Sequence, residues 1–116
     1  EALRFGHFLS PDGVALISNQ PVLPVTVTTG RARYPSLDDL IEPLCGQCQR
    51  VLALDATALA RKAGTAQAMN VVMLGALSQY IPLSEEHIIQ ALVEVVPPKH
   101  LEANKRAFAL GKAEVE

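Results

Sequence analysis

Residues 63–84 read AGTAQAMNVVMLGALSQYIPLS and contain no charged side chain, and this stretch constrains the fold most. It predicts a long helix from about residue 66 to residue 81, with Thr65 as the N-terminal cap. A helix that is apolar on almost every side has to be buried on almost every side, in a core, a membrane or a partner protein. A chain of 116 residues offers little core for that purpose. We therefore expect another chain to cover part of this helix.

The first half of the sequence predicts short strands. Residues 14–17 and 51–54 are continuous apolar runs, a pattern typical of parallel strands that are buried on both faces. Residues 25–28 alternate and are β-branched, so they form either an edge strand or an extended loop. Residues 36–44 predict a helix that begins with a capping box at Ser36 and that Pro43 has to end or kink.

The second half of the sequence is predicted to be helical throughout. A short helix over residues 57–63 stops at Gly64, Ser84 caps a later helix, and the last helix begins at Pro98 and ends at Gly111. The helix after Ser84 carries an apolar stripe of Ile88, Ile89, Leu92, Val95 and Val96. Two clear strands followed by helices indicate the C-terminal part of an α/β domain rather than a whole one.

Composition and charge exclude several classes of function. The net charge of −2 and the isoelectric point near 5.9 leave no basic surface for nucleic acid. Polar residues and Pro82 interrupt the 63–84 stretch, which argues against a membrane span. Two cysteines cannot build a disulfide framework, and no signal-peptide pattern is visible. These features predict a cytoplasmic location.

The motif Cys45-Gly46-Gln47-Cys48 is the one candidate for thiol chemistry. A reactive pair of this kind needs a helix N-terminus, whose partial positive charge favours the thiolate. Here a helical pattern precedes the motif and a strand follows it, so we expect structural thiols. A zinc or iron–sulfur site needs four ligands. The two cysteines and three widely separated histidines do not form one, and we predict no metal site.

Three further positions have a structural and a functional interpretation. Asp55 follows a strand, so it either caps the next helix or lies at the ligand-binding edge of the sheet. Asn70 interrupts the most apolar helix, and a buried amide there requires partners in an internal network or across an interface. Gly75 in a helix interior costs about 1 kcal/mol relative to alanine, which predicts the close approach of another backbone in a core or an interface.

Two blocks of the sequence resemble the gamma-type domain of the 2-oxoacid:ferredoxin oxidoreductase family. The first block reads LDATALA from residue 54, then Gly64, then AMNVVMLGAL to residue 77. The second block reads VPPK at residues 96–99 and NKRAF at residues 104–108, followed by Gly111. The similarity is strongest over residues 51–111, and within the family it is greatest to the small (beta) subunits of the indolepyruvate type.

This resemblance implies an activity and an architecture. The family converts a 2-oxoacid, such as indolepyruvate or pyruvate, and coenzyme A into acyl-CoA, carbon dioxide and reduced ferredoxin. The gamma-type domain is a Rossmann-like α/β/α unit. Residues 1–116 resemble its C-terminal portion, with two or three strands followed by a helical half, as a single domain without the family's upstream glycine-rich segment.

The resemblance also implies partners. We expect a non-catalytic, structural subunit with no cofactor of its own. A large catalytic subunit would bind thiamine diphosphate, iron–sulfur clusters and coenzyme A, and ferredoxin would accept the electrons of the complex. Residues 66–81 also offer a surface for homo-oligomerisation.

Seven positions match the family's motifs, and we assign them to motif or interface roles without a catalytic, cofactor or metal function. They are Asp55, Gly64, Asn70, Met73, Gly75, Asn104 and Phe108. The pair Cys45 and Cys48 has no counterpart in the family pattern. Two alternatives stay open: a stand-alone Rossmann-like ligand-binding module with Asp55 at its ligand edge, and a small thiol oxidoreductase that uses the two cysteines.

Overall fold

The computed structural model describes residues 4–20, 29–30 and 37–115. Within these residues, two strands with one α-helix between them are followed by four more α-helices. The elements are β1 (Val14–Ser18), α1 (Leu37–Cys45), β2 (Arg50–Leu54), α2 (Ala56–Ala63), α3 (Met69–Leu77), α4 (Glu85–Val95) and α5 (Pro98–Glu114). Two short 3-10 helices cover Gly6–Phe8 and Ala66–Ala68. This mixed α/β content fits a partial Rossmann-like domain. The chain divides into two compact units, Glu1–Ala53 and Leu54–Glu116.

Within its described residues, the first unit contains a parallel sheet of two strands, β1 and β2. A turn precedes β1, in which the Gly13 amide donates to the Ser10 carbonyl oxygen at 3.0 Å. The Gln49 amide donates to the Gly13 carbonyl oxygen at 3.0 Å, which aligns the starts of the two strands. All five residues of β1 are only half-buried. The predicted burial of this strand on both faces is therefore wrong for this chain, because a two-stranded sheet supplies few neighbours.

The helix between the strands ends close to its proline. Pro43 lies inside α1, which stops two residues later at Cys45, as expected from the loss of an amide donor and the clash with the preceding turn. The predicted capping residue Ser36 and the doubtful strand at residues 25–28 lie outside the described residues.

Sequence-encoded caps set most helix ends of the second unit. Gly64 has φ of 127° and ends α2, because that backbone conformation suits glycine. The Ser84 hydroxyl accepts the His87 amide at 3.3 Å and begins α4. Pro98 lies in the first turn of α5. These three predictions are confirmed.

The central apolar helix is shorter than its sequence predicts. Thr65 caps the 3-10 turn that precedes it, and α3 itself covers only Met69–Leu77. The Ser78 hydroxyl donates to the Gly75 carbonyl oxygen at 2.6 Å and helps to terminate the helix. Pro82 also disfavours helical backbone in the residue before it and lacks the amide that a longer helix would need.

The last helix is longer than predicted. It continues through Gly111 to Glu114, so the prediction that Gly111 ends it is wrong. Gly111 is buried in the helix interior, because another helix approaches its backbone there. A glycine near a helix end usually indicates termination, but at this position it allows close packing of another helix.

Small side chains form the core of the second unit. Its main cluster consists of Ala56, Ala60, Ala63, Ala68, Val72 and Ala107. A second cluster joins Ile88 and Leu92 of α4 to Phe108 of α5. Val95 is 80% exposed, so its predicted place in the buried stripe of α4 is wrong. None of the described helices is long and apolar enough to cross a membrane.

Candidate functional site

The helices α3 and α5 cross with their backbones in contact, and one glycine from each helix makes this possible. A Cβ atom on Gly75 would lie 2.9 Å from the Phe108 carbonyl carbon and closer still to its oxygen. A Cβ atom on Gly111 would lie 2.7 Å from the Val72 carbonyl carbon, again with the oxygen closer. The close approach of another backbone to Gly75 is thus confirmed, and that backbone belongs to the same chain.

Two further motif positions lie inside the same helix pair. Phe108 is 1% exposed, and its ring packs against Ile88 and Leu92. Asn104 is 9% exposed, and its Nδ2 atom donates to the His100 carbonyl oxygen at 2.8 Å, one turn earlier in α5. Of the seven motif positions, Asn104 and Phe108 therefore lie on α5, and Gly75 lies where α3 crosses that helix.

Two other motif positions hold the ends of α2. An Asp55 carboxylate oxygen accepts the Ala58 amide at 3.0 Å, which is the capping interpretation of this residue. At the other end of α2, the Nε atom of Arg106 donates to the Ala63 carbonyl oxygen at 3.0 Å, next to Gly64. A Cβ on Gly64 would meet this guanidinium at 3.4 Å. This hydrogen bond connects the C-terminus of α2 to α5.

The remaining two motif positions lie away from the crossing. Asn70 is exposed, so of its two predicted roles the internal network does not hold within this chain, and the contact across an interface stays a prediction. Met73 is half-buried against the alanine cluster. Leu77, on the same helix as Asn70, is 40% exposed. The apolar helix that was expected to be covered on almost every side thus leaves Asn70 and Leu77 exposed, whereas its other residues are buried or half-buried.

An apolar groove lies between α3 and α4 and has a volume of about 380 Å³. Its lining consists of Leu74, Leu83, His87, Ile88, Ala91, Leu92 and Val95. We refer to this set of residues as the α3–α4 groove. His87 supplies the single titratable side chain of the lining, so the groove suits an apolar surface of another molecule better than a charged substrate.

The cysteines lie where the sequence places them, at a helix C-terminus. Cys45 is the last residue of α1 and is exposed, whereas Cys48 is buried. The Cys48 thiol lies 3.3 Å from the Leu44 carbonyl oxygen and 3.4 Å from that of Arg50. A buried thiol that donates to backbone oxygens is a structural one, which disfavours the thiol oxidoreductase. Among the described residues, no three histidine, cysteine or acidic side chains are grouped as metal ligands.

Sequence reasoning missed two of these features. Gly111 was assigned to a helix end, although Ala107 and Gly111 are spaced four residues apart, so that two small residues share one face of α5. The open edge of the groove was missed because Val95 was assigned to the buried stripe of α4. The spacing of four residues from His87 through Ala91 to Val95 could have indicated a separate side of this helix.

Comparison with known proteins gives a consistent result. The chain is 42% identical to a protein of Thermococcus kodakarensis, 40% to one of Pyrococcus horikoshii and 35% to one of Archaeoglobus fulgidus. Each is described as indolepyruvate oxidoreductase subunit IorB, and each match covers 96% of this chain and 56% of the relative. The chain therefore spans a little over half the length of these relatives. No solved structure shows a significant match.

The family model described as pyruvate ferredoxin/flavodoxin oxidoreductase matches residues 1–114. This match covers nearly the entire sequence and includes both blocks that carry the resemblance. The chain belongs to the pyruvate ferredoxin/flavodoxin oxidoreductase family.

Proposed function

We propose that this chain is part of a small subunit of a thiamine-dependent 2-oxoacid:ferredoxin oxidoreductase of the indolepyruvate type. The observation that carries the proposal is the family match over residues 1–114. The description of three relatives as subunits of indolepyruvate oxidoreductase supports the choice of branch. The complex would oxidatively decarboxylate an aryl 2-oxoacid to its acyl-CoA and pass the electrons to ferredoxin.

Within that complex, the role of this chain is structural. Gly75, Asn104 and Phe108 act in helix packing, and the Asp55 carboxylate accepts an amide at a helix start. Side chains engaged in this way determine the shape and rigidity of the helical unit. They leave the reaction itself to a large partner subunit, against which this unit packs.

The residues of this chain do not fit the family's cofactors. An iron–sulfur cluster is held by cysteine thiolates, four as a rule, whereas this chain has two cysteines, one of them buried with its thiol on backbone oxygens. A diphosphate is usually held by a glycine-rich turn at a helix N-terminus, and the sequence contains no such turn. From the family resemblance, we propose that the large subunit holds thiamine diphosphate, which supplies the electron sink for decarboxylation, and the clusters.

The test is reconstitution of the complex. The full-length small subunit and the large subunit from the same genome are produced together and separately, and reduction of methyl viologen is followed with coenzyme A and one 2-oxoacid at a time. We expect the complex to use indolepyruvate in preference to pyruvate and 2-oxoglutarate, and neither subunit to be active alone. Full activity of the large subunit by itself would contradict the structural role.

A cysteine variant separates this proposal from the thiol oxidoreductase alternative. Cys45 is exposed and is the more accessible of the two thiols. Cys45→Ser should leave the 2-oxoacid-dependent rate of the complex unchanged, because no step of the proposed function uses this thiol. A loss of that rate with the complex intact would favour a redox role for the cysteine pair.

A further inference from the structure

We draw no further inference here: the strongest candidate, the apolar α3–α4 groove with Leu83 and Val95 exposed at its edge, carries nothing further because nothing in the described part of the chain shows which molecule covers it.

Discussion

The substitution Gly111→Ala tests the helix crossing on which the second unit depends. The added Cβ would lie 2.7 Å from the Val72 carbonyl carbon and closer to its oxygen, whereas ordinary contact begins near 3.4 Å. Both partners are backbone atoms, so α3 and α5 must separate. Overpacking of an interior costs roughly 1–3 kcal/mol, and the better helix propensity of alanine offsets about 1 kcal/mol. With the rigid backbone placing the cost at its upper end, the net loss is about 2 kcal/mol.

Thermal unfolding followed by circular dichroism measures this loss. A net change of about 2 kcal/mol corresponds to a fall in melting temperature of roughly 10 °C for a domain of this size. Gly46→Ala is the control, because its Cβ would meet the Pro43 carbonyl oxygen at an ordinary 3.7 Å. The free energy of unfolding of that variant should lie within a few tenths of a kcal/mol of the wild-type value or slightly above it. A Gly111→Ala protein as stable as the wild type would refute the backbone contact.

Three further substitutions test the caps and the hydrogen bond that fix the helix ends. Asp55→Ala should lower the free energy of unfolding by about 1 kcal/mol in urea titration, whereas Asp55→Asn, which keeps a capping oxygen, should change it little; equal losses would argue against the cap. Ser84→Ala should also cost about 1 kcal/mol, and an unchanged urea midpoint would show that α4 does not need this hydroxyl. Arg106→Lys removes the Nε donor to Ala63 and should cost about 1 kcal/mol, the usual net contribution of a protein hydrogen bond. A neutral result in the same titration would show that the bond to the α2 terminus is not formed in solution.

Local signals in the sequence predicted the helix boundaries that depend on neighbouring residues. The glycine with positive φ at Gly64 and the hydroxyl at Ser84 act through the backbone within one turn, so a single sequence contains all the information they need. The parallel strands β1 and β2 were identified from their apolar runs for a similar reason. The end of α3 was misplaced, because the effect of Pro82 was applied only to its immediate neighbour.

Contacts between distant segments could not be predicted from the sequence in the same way. Gly75 alone indicated that some backbone approaches α3, but only the fold shows that this backbone belongs to α5 and that Gly111 is its counterpart. The exposure of Asn70 could not be predicted for the same reason, because it depends on which distant segments pack against α3. The apolar sequence around it predicted burial, and the structure leaves Asn70 and Leu77 of α3 exposed. A single sequence gives the apolar surface to be covered but not which molecule covers it.

The crossing and the α3–α4 groove are mechanically connected through one residue. The Phe108 backbone contacts Gly75, and the Phe108 ring packs against Ile88 and Leu92, two residues that line the groove. A separation of α3 from α5 therefore also displaces α4 and changes the groove, because a close-packed interior transmits strain. A larger residue at Gly75 should therefore lower the stability of the subunit and also change the shape of the groove. The motif glycine thus acts on the groove from the buried side of α3, through the Phe108 side chain.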